Sequence, residues 1–282
     1  MILVTGATGN IGGHVAQKLI AKGAKVRVLS RDPAKAKALY SSNVEIAQGD
    51  LTKPESLPAA LKGVERVFLV SVGPMLAQQD ANLANAAKAA GVKHIVKLST
   101  LGLSSSDRLI RQWHAAGEKA IQDSGLAWTF VRPGAFMTNA RQWLGTIRAK
   151  GEVYSATGDG KIAPIHPSDI ADVAVVALTE SGHEGKSYEL TGGEALSWNE
   201  QVQILSDAIG KPVKHVDVGD EGLRAGLKAA NLPEALIQGL AALQKDVREG
   251  RTVVSSDDVE KLLGRKPRTW KQWCEENAAS FR

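Results

Sequence analysis

The chain has 282 residues, 43% hydrophobic and 23% charged, with 35 Lys and Arg against 30 Asp and Glu and a formal net charge of +5. This composition excludes a disordered or fibrous chain and suffices for one large domain or two modest ones, and no stretch reaches the roughly 18 uncharged apolar residues of a membrane span. The single cysteine, Cys274, admits neither an intrachain disulfide nor a cysteine-rich zinc cluster, so a reducing, cytoplasmic setting is expected.

Met1-Ile2-Leu3-Val4-Thr5-Gly6 runs directly into a buried-strand pattern, with no export signal expected. Apolar runs then alternate with amphipathic segments. Strands are predicted at 1–5, 25–30, 44–47, 64–71, 95–99 and 128–132, with helices at 10–22, from Pro33 onward, and at 54–61, 79–90 and 108–124. Gly23 and Gly91 stand just past two helices, where a left-handed cap is wanted. The rhythm predicts an α/β fold, a Rossmann-type doubly wound parallel sheet.

Beyond residue 133 the rhythm loosens. A helix is predicted at 137–150, a turn at Gly158-Asp159-Gly160, a helix at 167–178 and a returning strand at 185–191. Ser197 with Glu200 forms a capping box opening a helix to Ile209, and the remainder reads as mostly helical up to Phe281. The expected division is an NAD(P)-binding domain over 1–133, completed by about 166–193, and a smaller, helix-rich substrate-binding part over 134–165 and 194–282. The expected site is the cleft between them, at the sheet's cofactor edge. The basic stretch 261–271, with Arg265, Lys266 and Arg268, carries no nucleic-acid module and reads as solvated helix and loop; no nucleic-acid partner is expected.

The most specific motif is Val4-Thr5-Gly6-Ala7-Thr8-Gly9-Asn10-Ile11-Gly12, which joins a strand end to a helix start inside a βαβ unit. Its spacing is G-x-x-G-x-x-G. Gly6 permits the tight turn, Gly9 lets backbone approach a pyrophosphate, and Gly12 lets helix and strand pack closely. The second strand ends in Ser30-Arg31 where a carboxylate would accept a ribose 2′-hydroxyl, and a guanidinium there suits a 2′-phosphate. NADP(H) is therefore preferred, with NAD(H) possible. Arg31 has a second reading as an exposed loop charge, Lys35 is a further phosphate candidate, and Asp32 either neutralises Arg31 or faces solvent.

Together with that loop, Gly49-Asp50-Leu51, Leu98-Ser99-Thr100, Val131-Arg132-Pro133-Gly134, the segment from His166 through Asp169 to Asp172, Tyr188 to Gly193 and Gly264-Arg265-Lys266-Pro267 resemble the NmrA-like branch of atypical short-chain dehydrogenases/reductases, over nearly the whole chain. The resemblance implies that Gly6, Thr8, Gly9, Asn10, Ile11 and Gly12, with Ser30 and Arg31, contact the cofactor. It implies that Asp50 and Leu51 border the adenine, and that Val70, Ser71, Val72 and Gly73 border the riboses. Ser99 and Thr100 with Pro133, Gly134, Ala135 and Phe136 would lie at the nicotinamide end.

Typical members of the wider superfamily use a Tyr-x-x-x-Lys pair, in which lysine lowers the tyrosine pKa for proton delivery. This chain has no such pair. The correspondence places His114 at the tyrosine position and Glu118 at the lysine position, while Tyr40, Tyr154 and Tyr188 lie elsewhere in the sequence. One reading makes His114 a proton donor that Glu118, one helical turn on, orients or raises in pKa; the other makes them an ordinary helix-surface pair. No His-Glu-x-x-His or Gly-x-Ser-x-Gly pattern supports metal or hydrolase chemistry, and no metal is expected.

Two functional readings follow. The first is an NADPH-dependent reductase delivering hydride to a conjugated or electron-poor small molecule such as a quinone, azo or triphenylmethane-like acceptor, as enzymatic relatives in the family do. Met75, Leu76, Phe136, Met137 and Trp143 are its candidate apolar walls, and the resemblance places His166 beside the cleft. The second is a non-catalytic NADP(H)-binding redox sensor acting through a protein partner. The resemblance permits a monomer or a homodimer.

Overall fold

A strand buried on both faces must read as an apolar run, and β1 (Ile2–Val4) does: Leu3 and Val4 are fully buried. The computed structural model describes residues 1–40, 44–103, 109–252 and 255–282. Around β1 lie β2 (Val26–Ser30), β3 (Glu45–Gln48), β4 (Arg66–Leu69), β5 (His94–Leu98) and β6 (Ala127–Pro133), followed by a strand at Lys186–Leu190. All pair in parallel, in the order β3-β2-β1-β4-β5-β6 and then Lys186–Leu190. This is a Rossmann-type sheet, and its order reverses between β1 and β4, where such sheets open a crevice at the strands' carboxyl ends.

The connecting helices are α1 (Asn10–Ala21), α2 (Pro33–Leu39), α3 (Leu57–Leu61), α4 (Leu76–Ala89) and α5 (Leu109–Asp123). The predicted start of the last, Arg108, lies outside the described residues. Gly23 and Gly91 have φ of +76° and +77°, as left-handed caps require. The helix Pro167–Thr179 packs on α1, where Lys18 and Asp172 form a 2.7 Å ion pair. Leu3, Val67, Leu83, Ile95 and Phe130 lie at the centre of the core.

The chain divides into two compact units. The first comprises 1–133, 167–190 and 261–263; the second comprises 134–166, 191–260 and 264–282. The second is built on stacked Trp270 and Trp273, 5.1 Å apart, with Phe281 edge-on to Trp273 and with Cys274, Val202 and Leu205 buried around them. The Ser197–Glu200 capping box forms, with both reciprocal bonds. Four short strands were not predicted: Glu152–Ser155 parallel to Lys214–Asp217, and Lys161–Ile162 antiparallel to Leu196–Ser197. These strands are short and, unlike β1 and β4, carry no continuous apolar run to mark them. The segment predicted as one helix at 137–150 is a 3₁₀ stretch, Met137–Trp143, followed by the α-helix Leu144–Lys150. Its first turn is tightened by the Asn139 N–H bonding to the Phe136 carbonyl. No helix among the described residues is long and apolar enough to cross a membrane.

Candidate functional site

The glycine loop leaves β1 at Thr5. Gly6 takes φ +62°, a left-handed value that disfavours any side chain, and its carbonyl accepts from the Gly9 N–H at 2.9 Å. A Cβ on Gly12 would lie 2.4 Å from the Gly6 carbonyl oxygen, so only glycine lets α1 start this close to the strand. Gly9 caps α1 without a side-chain bond, and a Cβ there would meet only the Gly6 oxygen, at 3.2 Å. The outer side of Gly9 therefore lies open beside a helix N-terminus, a cradle that fits an anionic pyrophosphate. Gly6, Gly9 and Asn10 are exposed, Thr8 is half-buried, and Ile11 and Gly12 are buried. The Ile11 side chain thus belongs to the core, leaving its backbone for any contact with a ligand. Tyr40, set aside in the sequence because it lies far from the helix after β5, donates to the Ala7 carbonyl at 2.5 Å and braces the loop.

At the end of β2 the structure decides what Asp32 does. Its carboxylate accepts from the N–H groups of Ala34 and Lys35 and caps α2, a role that follows from its place before Pro33. Ser30 is buried, and its hydroxyl donates to the Asp32 carbonyl while accepting from the Asp32 N–H. Arg31 and Lys35 are exposed. Asp50, at the end of β3, accepts from the Thr52 N–H and hydroxyl, which hold its pKa below the ordinary value, with Arg31 adding a smaller pull. Leu51 packs against the core of the first unit.

Across the carboxyl ends of β4, β5 and β6 lies a cluster of buried charges. Lys97 on β5 is fully buried and pairs at 2.5 Å with Asp80 of α4, also fully buried. Lys97 also donates to the Ser71 hydroxyl at 3.1 Å. Burial pushes the Lys97 pKa down and the Asp80 pKa up, each opposed by the partner's charge. Beside this pair, Arg132 of β6 donates to both oxygens of Glu118 on α5, at 2.9 and 2.6 Å, and Ser99 donates its hydroxyl to Glu118 at 2.5 Å. Two cations meet two carboxylates.

This geometry corrects the expected histidine pair. Glu118 is buried and turned to Arg132 and Ser99, so it neither orients His114 nor raises its pKa. Burial, with the nearby Lys97 ammonium, lowers the His114 pKa to about 3. The Nδ1 atom of His114 is buried and has no hydrogen-bond partner among the described residues. The imidazole is therefore neutral at neutral pH and holds no readily released proton.

The remaining predicted positions separate. Val70 is half-buried and Ser71 buried, whereas Val72, Gly73 and Met75 are exposed. Thr100 is half-buried at the sheet edge, and the adjoining Leu101 N–H bonds to the Pro133 carbonyl. Leu76 is buried, and its side chain lies close to Gly117 of α5. In the second unit, Gly134, Ala135 and Phe136 are half-buried, with the Ala135 carbonyl accepting from the Ile165 N–H. Met137 is 1% exposed within the tryptophan core, which removes it from any accessible wall; Trp143 packs edge-on to Trp270 against that core. His166 is buried, and its Nε2 lies 3.1 Å from Glu276. Sequence reasoning missed Lys97, Asp80 and the pairing of Arg132. The available signal was a lysine flanked by Ile95, Val96 and Leu98 in a central strand, which demands a buried counter-charge.

Residues 1–274 match the model of the NmrA-like family. The chain belongs to the NmrA-like family. An NAD(P)H azoreductase of Xenophilus azovorans is 40% identical over 283 aligned residues, covering 100% of this chain and 99% of the relative. Quinone oxidoreductase 2 of Escherichia coli is 34% identical over 268 residues, 94% of each chain. The crystal structure of an Escherichia coli NADPH-dependent quinone oxidoreductase complexed with NADPH superposes with a TM-score of 0.88 at 33% identity, covering 98% of this chain and 99% of that one. Triphenylmethane reductase of Citrobacter sp. gives a TM-score of 0.85 at 32% identity, covering 98% of each chain. Both share the Rossmann-type architecture described above.

Proposed function

We propose that this protein is an NADPH-dependent oxidoreductase that delivers hydride to a conjugated or electron-poor small molecule, of the quinone, azo or triphenylmethane type. When bound, the reduced nicotinamide supplies the hydride. The family relatives named for such acceptors support the reading, and one observation in this chain carries it. At the carboxyl ends of β5 and β6 the Ser99 proton is committed to Glu118, Glu118 is paired with Arg132, and burial keeps His114 neutral. A simple carbonyl needs an acid as hydride arrives. An extended acceptor or a carbocation disperses or quenches the charge itself, so alignment and exclusion of water supply much of the catalysis.

Within this reading, backbone at Gly6, Thr8, Gly9, Asn10, Ile11 and Gly12 holds the pyrophosphate. Arg31 meets the 2′-phosphate, freed for that task because Asp32 is occupied in capping α2. Ser30 shapes the turn that presents Arg31, and Asp50 and Leu51 border the adenine. Val70 to Gly73 border the riboses, and Ser99, Thr100 and Pro133 to Phe136 the nicotinamide. Residues 1–133, completed by about 166–193, form the cofactor domain, with Met75 as an apolar contact for the substrate, and 134–165 with 194–282 form the substrate part, with Phe136 as another. The protein works in the cytoplasm as a monomer or homodimer; the one cysteine, buried in the core, suits a reducing compartment.

The test is fluorescence titration with NADPH and NADH, followed by absorbance at the reduced-nicotinamide band as quinone, azo and simple carbonyl acceptors are added. Tighter binding of NADPH is expected, with oxidation by quinone or azo compounds and little by carbonyls. Tight binding with no acceptor oxidised would make the chain a non-catalytic NADP(H) sensor.

A further inference from the structure

The four residues after β4 are held from several sides. The Thr5 hydroxyl donates to the Val70 carbonyl at 3.1 Å and accepts from the Val70 N–H at 2.7 Å. The Gln79 side-chain amide clasps Val72, accepting from its N–H at 3.3 Å and donating to its carbonyl at 3.2 Å. The Gly73 carbonyl accepts from the Leu76 N–H. Yet Val72 is 71% exposed and Met75 55% exposed, more than almost any other large apolar side chain in the described residues. A loop with a fastened backbone and apolar side chains left in solvent is arranged to present them to a ligand.

The base of this arrangement is the Lys97–Asp80 pair. Every residue of β5 is buried, so an apolar side chain at 97 would sit there without the cost of desolvating two charges. The fold also makes room for the pair: a Cβ on Gly117 would lie 2.0 Å from an Asp80 carboxylate oxygen. Lys97, Asp80 and Gly117 thus come from β5, α4 and α5 to hold one hydroxyl, that of Ser71. Ser71 accepts from Lys97, and Asp80 holds that ammonium as its counter-ion.

The geometry points to Lys97 and Asp80 as positioning residues, a charged anchor that holds the loop Ser71 to Gly73 in the shape that receives the reduced dinucleotide. This rests on the cofactor reading above. Ser71→Ala cuts the link and leaves the ion pair. In the ligand-free protein it should speed amide hydrogen exchange at residues 70–76 by about tenfold, the effect of one charge-assisted hydrogen bond, and weaken NADPH binding by a similar factor. The pair Lys97→Met with Asp80→Leu removes the anchor and keeps the site filled. It should show the same two losses, and adding Ser71→Ala to it should cost nothing more.

Unchanged exchange at 70–76 in Ser71→Ala overturns the inference, as does faster exchange with unchanged NADPH affinity, or losses that simply add. If the paired variant does not fold, Ser71→Ala decides alone. A wild-type protein that fails to bind NADPH would sink the cofactor reading, whereas the exchange measurement on ligand-free protein would still report whether the anchor holds the loop.

Discussion

The two units of the chain bury polar groups in contrasting ways. In the first, Lys97 and Asp80 are both fully buried under the sheet's carboxyl edge, beside Glu118 and Arg132. In the second, the core is stacked tryptophan with Phe281, and the buried Asp246 pairs with Arg251, which is 49% exposed. A buried pair contributes little net stability because desolvation offsets the attraction, while aromatic burial stabilises outright. The contrast teaches that the first unit, on the proposed cofactor reading, keeps a costly polar arrangement behind the loop Ser71 to Gly73. The second is packed chiefly for stability.

The largest effects should separate the two. Trp273→Ala should cost about 3–5 kcal/mol in urea unfolding and leave NADPH affinity of the folded protein unchanged. Lys97→Met alone should cost a similar amount, about 3–5 kcal/mol, by stranding the Asp80 carboxylate, and should weaken binding as well. Equal binding losses in both would erase the contrast.

Next comes the approach of α1 to β1. Gly12→Ala places a Cβ 2.4 Å from the Gly6 oxygen, and the forced shift should cost up to about 3 kcal/mol and lower NADPH affinity. Titration and unfolding together check this; wild-type values in both would contradict the assigned loop.

A pH series sharpens the account of His114. Its pKa is about 3 in the folded chain against an ordinary 6.5, so the fold favours the neutral ring. Its contribution is complete above pH 6.5 and is lost as pH falls from there toward 3. Between pH 6.5 and 5 the loss is about 2 kcal/mol. His114→Phe, which cannot titrate, should flatten that part of the stability curve, while His94 and His215, also lowered by burial, keep a residual slope of the same sign. An unaltered slope would place a charged imidazole back in the site.

The smallest effect belongs to the α2 cap. Asp32→Ala should cost about 1 kcal/mol, and because the carboxylate is bonded to the Ala34 and Lys35 N–H groups, preference for NADPH over NADH should change little. A marked shift in preference would mean that Asp32 faces Arg31 after all.

Much of the fold was readable from local pattern. The apolar runs at β1, β2, β4, β5 and β6, the glycine spacing from Gly6 to Gly12, the caps at Gly23 and Gly91 and the Ser197–Glu200 box each depend on neighbours within a few residues. Backbone stereochemistry and short-range hydrogen bonding act over that range, so the residue types carry the information. The charge cluster is different. Lys97, Asp80, Glu118 and Arg132 stand on four elements, and their pairing exists only once β5, β6, α4 and α5 are packed. His114 and Glu118, four apart on one helix, looked like partners by spacing, but the guanidinium of Arg132 pairs with the carboxylate and burial keeps the imidazole neutral. Met137 likewise suited a substrate wall by composition and was drawn into the tryptophan core by the packing of the second unit. Local sequence thus settles which residues can turn, cap and pair in a sheet; the folded chain alone settles which charges meet and which side chains lose water, because both depend on distances that sequence spacing does not set.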